Sequence, residues 1–207
     1  NANDDTAGLH DGTYTNTPTL GVTGLLVENG DTAIDFNSAQ TEYVTIPDAD
    51  ELDVVAPFTC VVWVDPEDTS GNDMIFTKYE GTNRTPFFFH VLATSGVLRF
   101  GFGPTGPNVL CDGTSDLSVG GTHMCVGRVI GSSMRVFIDG VQENSCTGSG
   151  GSSNGAAVQL GAWNGTGLPY DGIIDEAAIF NYGLSAGQIQ MLYYSGTGRQ
   201  VSPGDSW

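Results

Sequence analysis

"THMCVGRVIGSSMRVFIDGVQENS", residues 122–145, is the stretch that decides the fold. Two apolar runs, 123–130 and 134–139, are divided by Gly131 and two serines, and a third run follows an Asp-Gly corner. Asp139-Gly140 supplies the two positive φ values that a tight type I′ turn requires, so the second and third runs read as a β-hairpin. The same grammar continues on both sides. "PFTCVVWVDP" (57–66) is nearly continuous in apolar residues, which fits a strand covered on both faces. "TAIDFN" (32–37), "EYVTIPD" (42–48), "MIFTKYE" (74–80), "PFFFHVLA" (86–93) and "VLRFGFG" (97–103) precede the quoted segment; "AVQLGAW" (157–163) and "IIDEAAIF" (173–180) follow it. The first thirty residues read as polar and turn-rich, and the Gly/Ser stretch 148–155 as a long hairpin loop.

The totals agree with this reading. The 207 residues include 30 Gly and 9 Pro, and only 14% are charged, a mix that suits many short strands joined by turns. That length suffices for one all-β domain. No apolar run approaches the roughly 18 residues of a membrane span, and no signal peptide opens the chain. Asn1 stands where a Met would begin a complete product, so the chain reads as processed or as part of something longer. Lys plus Arg number 6 against 24 Asp plus Glu, a net charge of −18. A phosphate backbone or an anionic lipid surface would be repelled, which argues against nucleic acid and membrane insertion. The acidity serves solubility, or in part supplies oxygen ligands for Ca²⁺.

Cys60 and Cys125 sit inside strand-like runs and read as buried. Cys111 and Cys146 lie near turn-rich ends and are candidates to pair, although four cysteines leave three connectivities open. One helix is expected near the end. Ser185 and Gln188 have capping-box spacing, and Ile189, Leu192 and Tyr193 share one helical face.

Catalytic patterns fail on context. Gly183-Leu-Ser185-Ala-Gly187 matches a nucleophile elbow, but Ser185 is a helix cap and no His follows it. Gly101-Phe-Gly103-Pro-Thr-Gly106 lacks the helix that would receive a pyrophosphate. Sandwich-fold glycosidases carry acids at alternating spacing on one strand. The nearest approach, Glu51-Leu-Asp53, lies in a turn and lacks its third acid, while the adjacent Asp175 and Glu176 would point to opposite faces. His90 and His123 read as structural.

Taken in order, His123, Phe137-Ile-Asp139-Gly140, Leu160-Gly161, Gly172-Ile-Ile-Asp175-Glu176, Asn181 and Leu184-Ser185 resemble the LamG-like domains of the concanavalin A-like lectin/glucanase superfamily. Residues 33–48 and 58–66, with Trp63, are similar to that family's opening strands. The resemblance implies an all-β jelly-roll sandwich of two antiparallel sheets with one short C-terminal helix. A single domain over 1–196 and a polar C-terminal tail over 197–207 are expected. The resemblance further implies a non-catalytic recognition or adhesion domain located outside a cell, at a cell surface or on a virion or particle. Its partner would be a glycan or a surface protein, with calcium as the candidate cofactor. The alternative is a structural or decorating subunit of a virion, filament or other assembly, with self-association.

The pentraxin branch holds paired calciums by an Asp-Asn dipeptide, and Asn72-Asp73 stands at that place; "GAWNGTG" (161–167) replaces the later acidic cluster. The candidate ligand patch is therefore Asn72, Asp73, Trp163, Asn164, Tyr170 and Asp171, with oxygens for hydroxyls or Ca²⁺ and flat rings for stacking. Asp175, with Asp4 or Asp5, is the candidate for a structural calcium.

Overall fold

The strand Phe58–Pro66 is apolar along most of its length because two separate cores lie against it. In the computed structural model, Phe58, Cys60, Val62 and Val64 enter a main core between two sheets. Val61 and Trp63, on the opposite face, enter a second core under a helix. The structure describes residues 10–26, 32–78, 85–103, 109–118, 121–148, 155–165 and 167–194. Asp4, Asp5 and the tail 197–207 lie outside them.

Among the described residues the strands are β1 (Thr13–Thr15), β2 (Thr19–Thr23), β3 (Thr32–Phe36), β4 (Tyr43–Ile46), β5 (Phe58–Pro66), β6 (Asp73–Lys78) and β7 (Thr85–Val91). They continue with β8 (Val97–Gly103), β9 (Val109–Asp116), β10 (His123–Ile130), β11 (Ser133–Ile138), β12 (Val141–Thr147), β13 (Val158–Leu160) and β14 (Gly172–Phe180). They form two seven-stranded antiparallel sheets, in the orders β1-β4-β13-β6-β7-β8-β9 and β12-β11-β10-β5-β14-β3-β2. The expected jelly-roll sandwich is therefore the fold.

Helix α1 (Ala186–Tyr193) covers the outer face of the second sheet. Its capping box forms as the spacing predicts: Ser185 accepts from the Gln188 N–H, and Gln188 from the Ser185 N–H. The approach to the helix is pinned by Thr59. Its hydroxyl donates to the Tyr182 carbonyl and accepts from the Leu184 N–H, both at 3.0 Å. Arg128, over the Phe137 ring at 5.1 Å, donates to the Leu184 carbonyl at 2.6 Å.

The hairpin corner is locked at both ends. Asp139 and Gly140 have φ of 53° and 77°, as the turn demands. The Asp139 carboxylate accepts the Met124 N–H at 2.8 Å and meets His123 Nδ1 at 2.8 Å. A Cβ on Gly140 would lie 3.2 Å from Tyr193, so the corner also abuts α1. His123 and the Asp-Gly corner thus belong to one lock, joined across 16 residues of sequence.

Three strands were not legible. β1 and β2 are short, polar and mostly exposed, so neither shows an apolar alternation. β9 is an edge strand whose buried anchor is Cys111. That cysteine is bonded to Cys146 on β12, with Cα atoms 5.7 Å apart, which resolves the open connectivity. Cys60 and Cys125 are free and buried. Beside the disulfide, Glu143 accepts the N–H groups of Thr114 and Ser115 at 2.6 and 2.7 Å. Asn144 donates to the Asp112 carbonyl at 2.8 Å. The edges of the two sheets are sewn together along this side.

Candidate functional site

The loops after β5, before β6 and before β14 meet at one end of the sandwich. The Glu67 N–H donates to the Asp171 carbonyl at 3.0 Å, and the Met74 N–H to the Leu168 carbonyl at 2.8 Å. These contacts gather carboxylates. Burial, then the charges of Asp35, Asp171 and Asp65, raise Glu67. Burial, then Asp68 and Asp171, push Asp73 up to about 7. The described Lys and Arg side chains are engaged elsewhere: Lys78 by Asp48 and Asp53, Arg99 by Asp112, Arg128 by Leu184 and Arg135 by Gln142.

Asp73 is the unusual member. It is 6% exposed, and its Oδ2 is buried with no hydrogen-bond partner among the described residues. Gly71 makes room for it, since a Cβ there would fall 2.6 Å from Asp73 Oδ1. The neighbouring acids are satisfied within the chain. Asp68 accepts from the Ser70 N–H and hydroxyl at 2.8 and 2.9 Å, which hold its carboxyl below the usual range. Asp171 Oδ2 accepts from the Ser38 N–H at 3.0 Å and from its hydroxyl at 2.5 Å. Asn72 Oδ1 accepts from the Ala93 N–H at 3.1 Å.

Trp163 and Asn164 stand on the adjoining small hairpin. Trp163 pairs with Gly167 through hydrogen bonds of 2.7 and 2.8 Å, and Asn164 and Gly165 make the corner with φ of 49° and 85°. The Gly165 N–H donates to Gln159 at 3.1 Å, which leans the hairpin toward β13. Trp163 is half-buried and Asn164 exposed.

The stacking role expected for Tyr170 is corrected: its ring is fully buried in the main core. Its N–H donates to the Gly161 carbonyl at 2.9 Å as the chain crosses the end of the sandwich, and its hydroxyl donates to the Ile173 carbonyl at 3.4 Å. Asp175 is buried at an irregularity in β14, where Glu176 has φ of 46°. Its oxygens accept the N–H groups of Leu25 at 2.8 Å and Glu176 at 2.9 Å. Asp4 and Asp5, its expected partners in a calcium site, lie outside the described residues. Among the described residues no three His, Cys, Asp or Glu side chains converge as a metal-binding group.

A second polar surface was not legible. Phe88 and His90 alternate outward from the all-aromatic run of β7, while Phe87 and Phe89 enter the core. The Phe88 ring occupies the space a Cβ on Gly101 would take, and it stacks on His90 with centroids 5.8 Å apart. His90 is in register with Arg99, and Arg99 with Asp112, in a row across β7, β8 and β9. Arg99 grips Asp112 by two hydrogen bonds of 2.6 and 2.7 Å. Burial and the Arg99 charge push His90 down to about 4, which leaves a neutral imidazole near pH 7. An open groove of about 620 Å³ lies at the sewn edge, lined by Asp116, Asp139 and Glu143 among others. All three carboxylates accept from nearby chain donors.

The fold has known counterparts. Domain 4 of AbnA, a GH43 extracellular arabinanase from Geobacillus stearothermophilus solved with arabinotriose, is 20% identical with a TM-score of 0.71; the match covers 92% of this chain and 91% of that one. The binding domain of Paraclostridial Mosquitocidal Protein 1 is 12% identical with a TM-score of 0.75, covering 94% and 49%. The binding domain of Botulinum Neurotoxin DC, in complex with SialylT, is 10% identical with a TM-score of 0.67, covering 90% and 46%. The chain spans about half the length of these toxin domains. No curated protein matches in sequence. At these identities the likeness is one of fold. The family model of the concanavalin A-like lectin/glucanases superfamily matches residues 37–190, and the chain belongs to that superfamily.

Proposed function

We propose that this chain is a non-catalytic recognition domain, acting outside a cell or on a particle surface, that binds glycans at the acidic loop end with help from calcium. One observation carries the reading: among the described residues, a buried carboxylate oxygen of Asp73 lacks a donor at an end crowded with Asp35, Asp65, Glu67, Asp68 and Asp171. Such a group seeks a proton or a cation, and a hard divalent ion taking oxygen ligands suits it. Asp73, with Asp68 or Asp171 and main-chain oxygens, would hold the ion. Asn72 and Asn164 would hydrogen-bond sugar hydroxyls, and the half-buried Trp163 would offer a ring face. The arabinanase domain and toxin complexes support a glycan partner, and the toxin domain solved with rat synaptotagmin II supports a surface protein as well. The disulfide agrees with an oxidising compartment. A glycosidase reading finds no support at Glu51 and Asp53, because the first is exposed on a 3-10 helix and the second pairs with Lys78.

A glycan array probed with Ca²⁺ and again with EDTA tests the reading. Weak, multivalency-enhanced hits that vanish in EDTA and in Asp73→Ala are expected. A blank array under both conditions would overturn it. The linkage at Asp73 gives a separate test. Its folded value of about 7 exceeds the ordinary value of about 4, so the folded state binds the proton more tightly. Its cost to stability is absent below pH 4, grows between pH 4 and 7, and is fully present above pH 7. In EDTA at pH 8, Asp73→Asn should stabilise the protein by on the order of 1–3 kcal/mol, with little change at pH 4. Calcium should raise the wild-type Tm at pH 8 and leave that of the variant unchanged.

The assembly reading keeps one observation in its favour. Val55, Ile130 and Tyr182 are exposed apolar side chains at the end of β5, β10 and β14 opposite the acids, and Pro57 and Ile130 close around Gly183. Concentration-dependent sedimentation that Ile130→Asp abolishes would favour it.

A further inference from the structure

Lys78 closes β6 at the end remote from Asp73, yet it points inward. It lies in register with Val158 and Phe87, both members of the main core, and its side chain is 0% exposed. Its Nζ touches Asp48 Oδ1, lies 3.2 Å from Asp53 Oδ1 and donates to the Ala156 carbonyl at 2.8 Å. Asp48 follows β4 and its side chain is 39% exposed, whereas that of Asp53 is 14% exposed. A buried amine is therefore held against one carboxyl with a path to water, beside a second that is more enclosed.

We propose that Lys78 and Asp48 condense within the folded protein into an isopeptide bond, with Asp53 moving the proton. The ammonium passes one proton to Asp48, which neutralises that acid and frees the Nζ lone pair. Nζ attacks Asp48 Cγ and the N–C bond forms. The nitrogen, now cationic, gives its second proton to Asp53 as one C–O bond breaks. Asp53 returns its proton to the departing oxygen, which leaves as water through the exposed side of Asp48. Ammonium plus carboxylate become amide plus water, so atoms and charge balance and no oxidant or co-reactant is needed. Two physical effects favour the step. Fixed contact between reacting groups replaces a bimolecular encounter, an advantage reaching effective molarities of about 10⁵–10⁸ M. The product also replaces a buried charge pair by a neutral amide, which removes a desolvation cost. The link would staple β6 to the end of β4 across β13, a strand of only three residues.

Mass spectrometry of the full, folded-then-denatured chain with its disulfide reduced tests this directly. The expected mass is lower than that of the sequence by one water, and a digest should contain one branched peptide joining Lys78 to Asp48. Asp53→Asn should fold, as judged by circular dichroism, and keep the full mass; Lys78→Arg should do the same. A wild-type chain at full mass, with a linear Lys78 peptide, would overturn the proposal. So would a water loss mapped to an Asp-Gly step such as 139–140 or 171–172 and cleaved by hydroxylamine, because that marks a succinimide.

Discussion

Lys78→Met is expected to lower the unfolding free energy by about 3–5 kcal/mol, read from urea unfolding, even in protein whose Lys78 is uncrosslinked. The reason lies in what the substitution leaves behind. Nζ satisfies Asp48, Asp53 and the Ala156 carbonyl at once, with its own side chain wholly out of water. Without it, two carboxylates face each other beside the core, and the better-buried Asp53 loses a counter-charge. The triple variant Lys78→Met, Asp48→Asn, Asp53→Asn removes those charges and should recover most of the loss, as replacement of whole buried ion pairs often does. A single-variant cost below about 1 kcal/mol, the range of surface pairs, would show that the cluster is solvated and not part of the core.

A loss of similar size, about 3–5 kcal/mol, is expected for Trp63→Ala, from deletion of a large buried side chain and the cavity it leaves. Trp63 is 1% exposed and stacks on Tyr193 of α1 with ring centroids 5.8 Å apart. It fills the second core with Val61, Met124, Val126, Phe137, Leu184, Ile189 and Leu192. The damage should be local first: hydrogen exchange ought to lose protection across α1 before the main-core strands change. Trp63→Phe should cost much less, because the indole N–H is buried with no partner among the described residues, and Phe removes that unmet donor. If α1 protection survives Trp63→Ala, the helix is held by Thr59 and Arg128, and the second core is secondary.

The central strands were legible because their periodicity is local. β5 and β10 carry near-continuous apolar runs, the β11–β12 hairpin carries its Asp-Gly turn, and the capping box marks α1 by itself. The outer strands were not, because β1, β2 and β9 bury too little to leave a pattern. The site was less legible still. Asp73 and Asp171 are far apart in sequence, and only the folded loops bring their charges together. Tyr170 sits among loop residues and looks like a surface ring, yet the chain crossing the sandwich end buries it. Lys78 ended a strand in a place where a lysine ordinarily reaches water. Its burial follows from the facing of β6 against β13 and β7, a property of the sheet and not of the segment.

The sewn edge bears on how the protein can be handled. The Cys111–Cys146 bond joins β9 to β12, the outermost strands on one side, whereas Asp73 and Asp171 adjoin β6 and β14 nearer the middle of each sheet. A thiol reagent therefore acts on the seam and leaves the acidic loops standing on strands it does not cross-link. Recognition measured in reducing buffer should match that in oxidising buffer as long as the fold persists. On the proposed calcium-assisted reading, chelation and acid are the treatments to which the loop end would answer.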